Sequence, residues 1–110
     1  MRVDVPTCGP AERLQDIRAR TGEWDTCFVV DGDGVLLGRL GHSALQREDD
    51  VSAEDAMSDG PGTIRPSARL AWAVERMRAR NLQSLPVTTS DGRFLGLLVR
   101  SDAERALDGA

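Results

Sequence analysis

The segment PVTTSDGRFLGLLVRSD (86–102) decides how this chain is read. An apolar run, a Ser-Asp-Gly turn and a second apolar run predict a β-hairpin, because Asp-Gly tolerates the backbone that a tight turn between twisted strands needs. The second run stops at Ser101-Asp102, where a helix is expected to start. Asp102 then carries two readings. It either complements a helix dipole, worth about 0.3–1 kcal/mol, or it holds a ligand.

The same order of features occurs earlier in the chain. With Gly38 set on Gly96, CFVVDGDGVLLGRLGHSAL (27–45) falls on LPVTTSDGRFLGLLVRSDA (85–103), matching Val29 to Val87, Asp33 to Asp91, Gly34 to Gly92, Leu40 to Leu98 and Ser43 to Ser101. Upstream, TCGPAERL (7–14) parallels TIRPSARL (63–70). The chain therefore divides into two repeats, 1–50 and 51–110, meeting in the stretch REDDVSAEDAMSDGPG (47–62). Each repeat is expected to begin with a short extended piece, Val3–Cys8 or Gly62–Arg65. Pro10 or Pro66 then opens a helix. In the second repeat Leu70, Ala73, Val74 and Met77 form the i, i+3, i+4, i+7 stripe of one buried helix face. The hairpin follows, and Ser43-x-x-Gln46 or Ser101-x-x-Glu104 reads as a capping box for a second helix. The predicted fold class is α+β, an internal duplication of β-α-β-β-α units. One such unit buries too little surface to be stable alone, so the two are expected to pack as a pseudo-twofold pair.

Composition bounds the function. The 110 residues carry a net charge of −4, which argues against nucleic acid or an anionic membrane as the main partner. All 14 basic residues are arginine, so lysine Schiff-base chemistry is absent. Cys8 and Cys27 lack metal or C-x-x-C spacing and indicate no disulfide scaffold. MRVDVPTCGP (1–10) has no apolar h-region and no stretch is long enough to span a bilayer, so a cytoplasmic location is expected. Nor does a catalytic constellation appear, so an enzyme is not expected. His42 has no partner at catalytic spacing. DGDG (31–34) begins like a calcium loop, but His42 stands where the closing glutamate belongs. Gly32, Gly34 and Gly38 miss the dinucleotide fingerprint by one position and precede a strand.

Taken together, the Leu85–Val87 strand start, the Asp91-Gly92 hairpin, Gly96-Leu97-Leu98, Asp102 and the EDAM linker (54–57) resemble a tandem pair of cystathionine-β-synthase (CBS) domains, over almost the whole chain. The resemblance implies two small sheets face to face, helices outside, and a cleft for AMP, ADP, ATP or S-adenosylmethionine, with no cofactor required. It implies that Asp102 holds the ribose hydroxyls, that Val99 replaces the usual Ser or Thr, and that Arg100 is the nearest phosphate ligand. Thr63, Ile64 and Arg65, with Ser84, Leu85 and Pro86, would flank the base. In the first repeat Gly41 and Ala44 stand at the hydroxyl and carboxylate positions, so that site is degenerate. The resemblance further implies a homodimer, with Trp72 at the interface, and an effector protein as possible recipient of the signal. The competing reading is a structural or dimerisation module that binds no ligand and contacts another protein.

Overall fold

The computed structural model describes residues 1–59 and 62–109, with the side chain of Asp59 outside that description. The chain forms two compact units: a first unit, Val5–Pro61, and a second unit made of Met1–Asp4 with Gly62–Ala110. Both are mixed α and β, as the repeats predict.

In the first unit a four-stranded sheet runs in the order β1 (Thr7–Cys8), β2 (Cys27–Val30), β3 (Leu36–Leu40), β4 (Ser58–Asp59). The β1–β2 pair is parallel and the others are antiparallel. Helices α1 (Leu14–Thr21), α2 (His42–Leu45) and α3 (Ala53–Ala56) complete it. Leu14, Ile17, Val29, Leu40 and Leu45 fill its core. In the second unit α4 (Leu70–Ala79) precedes the hairpin β5 (Ser84–Thr88) and β6 (Phe94–Val99), and α5 (Arg100–Asp108) follows. Ile64 bridges β5 in parallel at Val87, and Arg2 bridges β6 antiparallel at Leu97. Those two bridges stand where β1 and β4 stand in the first unit. The predicted stripe of α4 is inward: Ala73, Val74 and Met77 are buried and Leu70 packs against them.

Both hairpins form as the Asp-Gly signals predict, and they are the same hairpin. Gly34 N–H donates to Asp31 C=O at 3.0 Å, and Gly92 N–H to Thr89 C=O at 3.0 Å. The two glycines have φ of +84° and +88°, a region that a Cβ disfavours. The register shifts at the same place in each, between Val29 and Val30 and between Val87 and Thr88. The Asp31 carboxylate accepts from the N–H of Asp33 and of Val35, so DGDG builds a turn.

Two local expectations are corrected. Pro10 and Pro66 sit in turns, and the helices begin later, at Leu14 and Leu70. Arg13 is held extended by its bridge to Ser52, and Arg69 is likewise extended. The capping boxes do not form. β6 runs straight into α5, so Val99 is the cap residue and Ser101 lies inside the first turn. Gly41 caps α2. The Arg100 N–H is satisfied by Gln83 C=O at 2.8 Å instead. A side-chain cap does occur at Ser52, which accepts from Asp55 N–H at 3.3 Å. Finally, Cys8 and Cys27 meet in the first core. Cys8 pairs with Val29, whose face Cys27 shares, and both thiols are buried and free. Their mutual hydrogen bond, then burial, pushes the Cys8 thiol up, and the same hydrogen bond holds Cys27 below the usual thiol range.

No described helix is long and apolar enough to cross a membrane.

Each sheet depends on one glycine. A Cβ on Gly38 would lie 2.5 Å from Met57 Sδ and 2.7 Å from Ser58 C=O, and one on Gly96 would lie 2.6 Å from Arg2 C=O and 2.9 Å from Met1 Cγ. Backbone cannot give way as a flexible side chain can. Gly38→Ala and Gly96→Ala should each cost about 1–3 kcal/mol in urea unfolding. Gly32→Ala, which meets nothing within 4 Å, should stay within about 0.5 kcal/mol of the parent. Equal midpoints for all three would show that the edge segments do not press on the glycines.

Candidate functional site

The second unit gathers the residues that can hold a ligand. Asp102 is the third residue of α5, where the helix dipole favours a carboxylate. Its side chain is 31% exposed. Arg2 grips it with a two-pronged fork, Nε to Oδ2 at 2.8 Å and Nη2 to Oδ1 at 3.1 Å. Arg105, one helical turn on, donates Nη2 to Oδ1 at 2.8 Å. The hydrogen bond from Arg2, assisted by the charges of Arg2 and Arg105, holds the Asp102 carboxyl below the usual carboxylate range. The same bond raises the Arg2 guanidinium.

The same unit holds an apolar pocket of about 200 Å³, reached by Met1, the chain neighbour of Arg2. Met1, Ile64, Arg65, Val87 and Leu98 are among its walls. Ile64 is fixed by backbone bonds in both directions, its N–H to Pro86 C=O at 3.1 Å and its C=O from Thr88 N–H at 2.9 Å. Arg65 crosses to donate to Thr89 C=O. Thr63 lies in a neighbouring hollow with Ile64, Arg65 and Trp72.

The predicted site residues are thus placed unequally. Ile64 and Arg65 line the pocket. Ser84, Leu85 and Pro86 are buried in β5, paired with Val99, Leu98 and Leu97, and are not among the residues that line the pocket. Arg100 is committed elsewhere: its Nε contacts Glu104 Oε1 at 3.0 Å and its Nη1 Leu82 C=O at 3.4 Å. Trp72 is 49% exposed on α4, off the buried stripe, with the Arg76 guanidinium 5.4 Å over its ring.

Sequence reasoning missed three participants. Val87 and Leu98 were available from strand alternation, since Val87 lies two residues past Leu85 and so shares its face. Arg2 gave no local signal, because it pairs across almost the whole chain length. In the first unit the equivalent helix start offers no acid: Ala44 packs against the core and Gly41 has no side chain.

A duplicated α+β unit, with hairpin and following helix repeated and one acidic helix start retained, defines the class of protein. The family model for the CBS domain matches residues 53–109, just over half of the chain, and the chain belongs to that family. Solved structures extend the match to both repeats. Staphylococcus aureus OpuCA is 25% identical, with a TM-score of 0.82 over 97% of this chain and 95% of that one. CBSX2 in complex with AMP is 21% identical, with a TM-score of 0.86 over 99% and 92%. The CBS domain pair of MJ0100, in complex with 5′-methylthioadenosine and S-adenosyl-L-methionine, is 16% identical, with a TM-score of 0.78 over 96% and 89%. The fold is therefore that of a CBS-domain pair. A search of curated proteins finds no match.

The depressed Asp102 carboxyl has a pH consequence with a definite sign. Its contribution to stability is complete above the unfolded value, near pH 4, and is lost as pH falls toward the folded value. Wild type should therefore lose more stability than Asp102→Asn between about pH 5 and pH 2. Urea midpoints across that range measure it, and parallel curves would mean that the Arg2 contact stabilises nothing.

Proposed function

We propose that this chain is a regulatory module that binds an adenosine-containing ligand in its second unit and is not itself a catalyst. The observation that carries the reading is the Asp102 carboxylate at the start of α5, in the same unit as the apolar pocket lined by Ile64, Val87 and Leu98. Two hydroxyls of a ribose can donate to the two oxygens of one carboxylate, and charge-assisted hydrogen bonds are the stronger kind. A pocket of about 200 Å³ is below the ~300 Å³ at which whole small-molecule sites begin, and so suits a base with the sugar at its mouth. Apolar walls on β5 and β6 suit the faces of a purine. Family membership and the adenosyl ligands of CBSX2 and MJ0100 support the same class. AMP, ADP, ATP and S-adenosylmethionine are the candidates. The first repeat, with Gly41 and Ala44, takes no part.

Such a ligand acts only if it favours one state of the protein over another. The proposed output is a change read by a second copy of the chain or by an effector protein. Trp72 is the proposed contact in a homodimer: half of an indole is left in water, stiffened by the Arg76 stacked on it. Exposed tryptophans of this kind are over-represented among interface anchors. The same residue supports the alternative, a dimerisation module without a ligand, which Val99 also favours because it lacks the hydroxyl.

Thermal unfolding with each of the four candidates separates the readings. A ligand at 100 times its dissociation constant adds about 2.7 kcal/mol. For a domain of this size that is a rise on the order of 10 °C. One candidate should raise wild type and leave Asp102→Ala unmoved. If none of the four moves wild type, the ligand reading is lost and the dimerisation module stands in its place. Sedimentation velocity tests the dimer: wild type should sediment as a dimer and Trp72→Ala as a monomer. A monomeric wild type would remove Trp72 from the argument.

A further inference from the structure

We propose that Arg2 is the residue that distinguishes a nucleoside 5′-phosphate from an uncharged nucleoside: a ribose takes over the Asp102 carboxylate, and the displaced guanidinium turns to the phosphate. The inference rests on the ligand reading above and names a specificity that reading leaves open. The Arg2 fork covers both oxygens of Asp102, at 2.8 and 3.1 Å. A ribose diol needs those same oxygens. Arg105 already occupies Oδ1 at 2.8 Å, so the carboxylate lacks free lone pairs to serve fork and diol together. Ligand and fork therefore compete.

The fork is open to water and cannot go far. Side chains of Arg2 and Asp102 are 46% and 31% exposed, so the pair is screened and a ligand can reach it. The Arg2 backbone, by contrast, is pinned. Its N–H donates to Leu97 C=O at 2.9 Å and its C=O accepts from Leu97 N–H at 2.8 Å. A displaced guanidinium swings about a fixed Cα and stays within one side-chain length of the sugar. Met1, its neighbour, lines the base pocket.

Charge then decides between ligands. An uncharged nucleoside breaks the Arg2–Asp102 pair and returns only hydroxyl contacts to the carboxylate, with no new anion for the guanidinium. A nucleoside phosphate gives that guanidinium a second anion, with fork geometry that matches phosphate oxygens. The other arginines nearby are engaged: Arg100 with Glu104 and Leu82, Arg65 with Thr89 C=O.

Isothermal titration of adenosine and AMP into wild type, Arg2→Ala and Arg2→Lys tests this. Wild type should prefer AMP. Arg2→Ala should narrow that preference by about tenfold or more, the size of one lost charge-assisted hydrogen bond, by weakening AMP and tightening adenosine. Arg2→Lys keeps the charge without the fork and should fall between. An unchanged ratio, or equal weakening of both ligands in Arg2→Ala, overturns the proposal while leaving the ligand reading intact, since Arg2 would then only orient Asp102. Wild type that binds neither defeats the ligand reading, and this proposal with it.

Discussion

Two short segments lie against two positions that have no side chain. In the first unit Met57 and Ser58 cover Gly38 of β3, and in the second Met1 and Arg2 cover Gly96 of β6. Each contact brings a methionine sulfur and a backbone carbonyl to a distance that only glycine permits, and each adds the outer strand or bridge to its sheet. The covering segment is drawn from far away in sequence. Strand β4 lies in the second repeat and completes the first unit, while Met1–Asp4 lies in the first repeat and completes the second unit. A repeat read as 1–50 or 51–110 is therefore a sequence unit whose compact body borrows its last strand. Arg2 reaches Asp102 only because of this exchange.

The pairing of Arg2 with Asp102 matters through its exposure. A buried ion pair would be costly to open, since one partner would be left uncompensated out of water. Here both partners are partly in water, so opening the fork leaves neither charge buried, while the backbone bonds to Leu97 keep the arginine in place. Under the proposed function such a contact would answer a ligand without local unfolding. At the equivalent helix start of the first unit the described residues form no such pair: α2 is only four residues long, and Ala44 packs against the core.

Legibility followed the range of the interactions. Hairpins were readable because Asp-Gly turns are set by a few adjacent residues, and both appear where the repeats put them. The buried stripe of α4 was readable from its period. Asp102 was readable as a candidate because a strand that ends in an acid before a helix is a local pattern. Caps were misread because a capping box presumes a loop ahead of Ser101, and β6 leaves none. The meeting of Cys8 with Cys27 and the fork of Arg2 are set by tertiary placement, which spacing does not encode. One signal was present and passed over: Met1 and Met57 share the offset that aligns Thr7 with Thr63 and Pro10 with Pro66, so the upstream match extends to the first residue.

Charge is divided in the same sense as the site. The second unit holds nine arginines against six aspartates and glutamates, and the first unit five against twelve. A net charge of −4 for the whole chain conceals this split. The field outside a protein follows local charge within roughly a Debye length, about 8 Å at physiological salt, so an approaching anion meets two different surfaces. It is drawn to the unit that keeps Asp102 and repelled by the one that has Ala44. The carboxylate of Asp102 opposes that attraction for an anionic ligand, and Arg2 and Arg105 are what neutralise it. Under the proposed function a ribose-binding acid and a phosphate-binding site make opposite electrostatic demands, and an arginine placed on the acid would let one small cluster meet both.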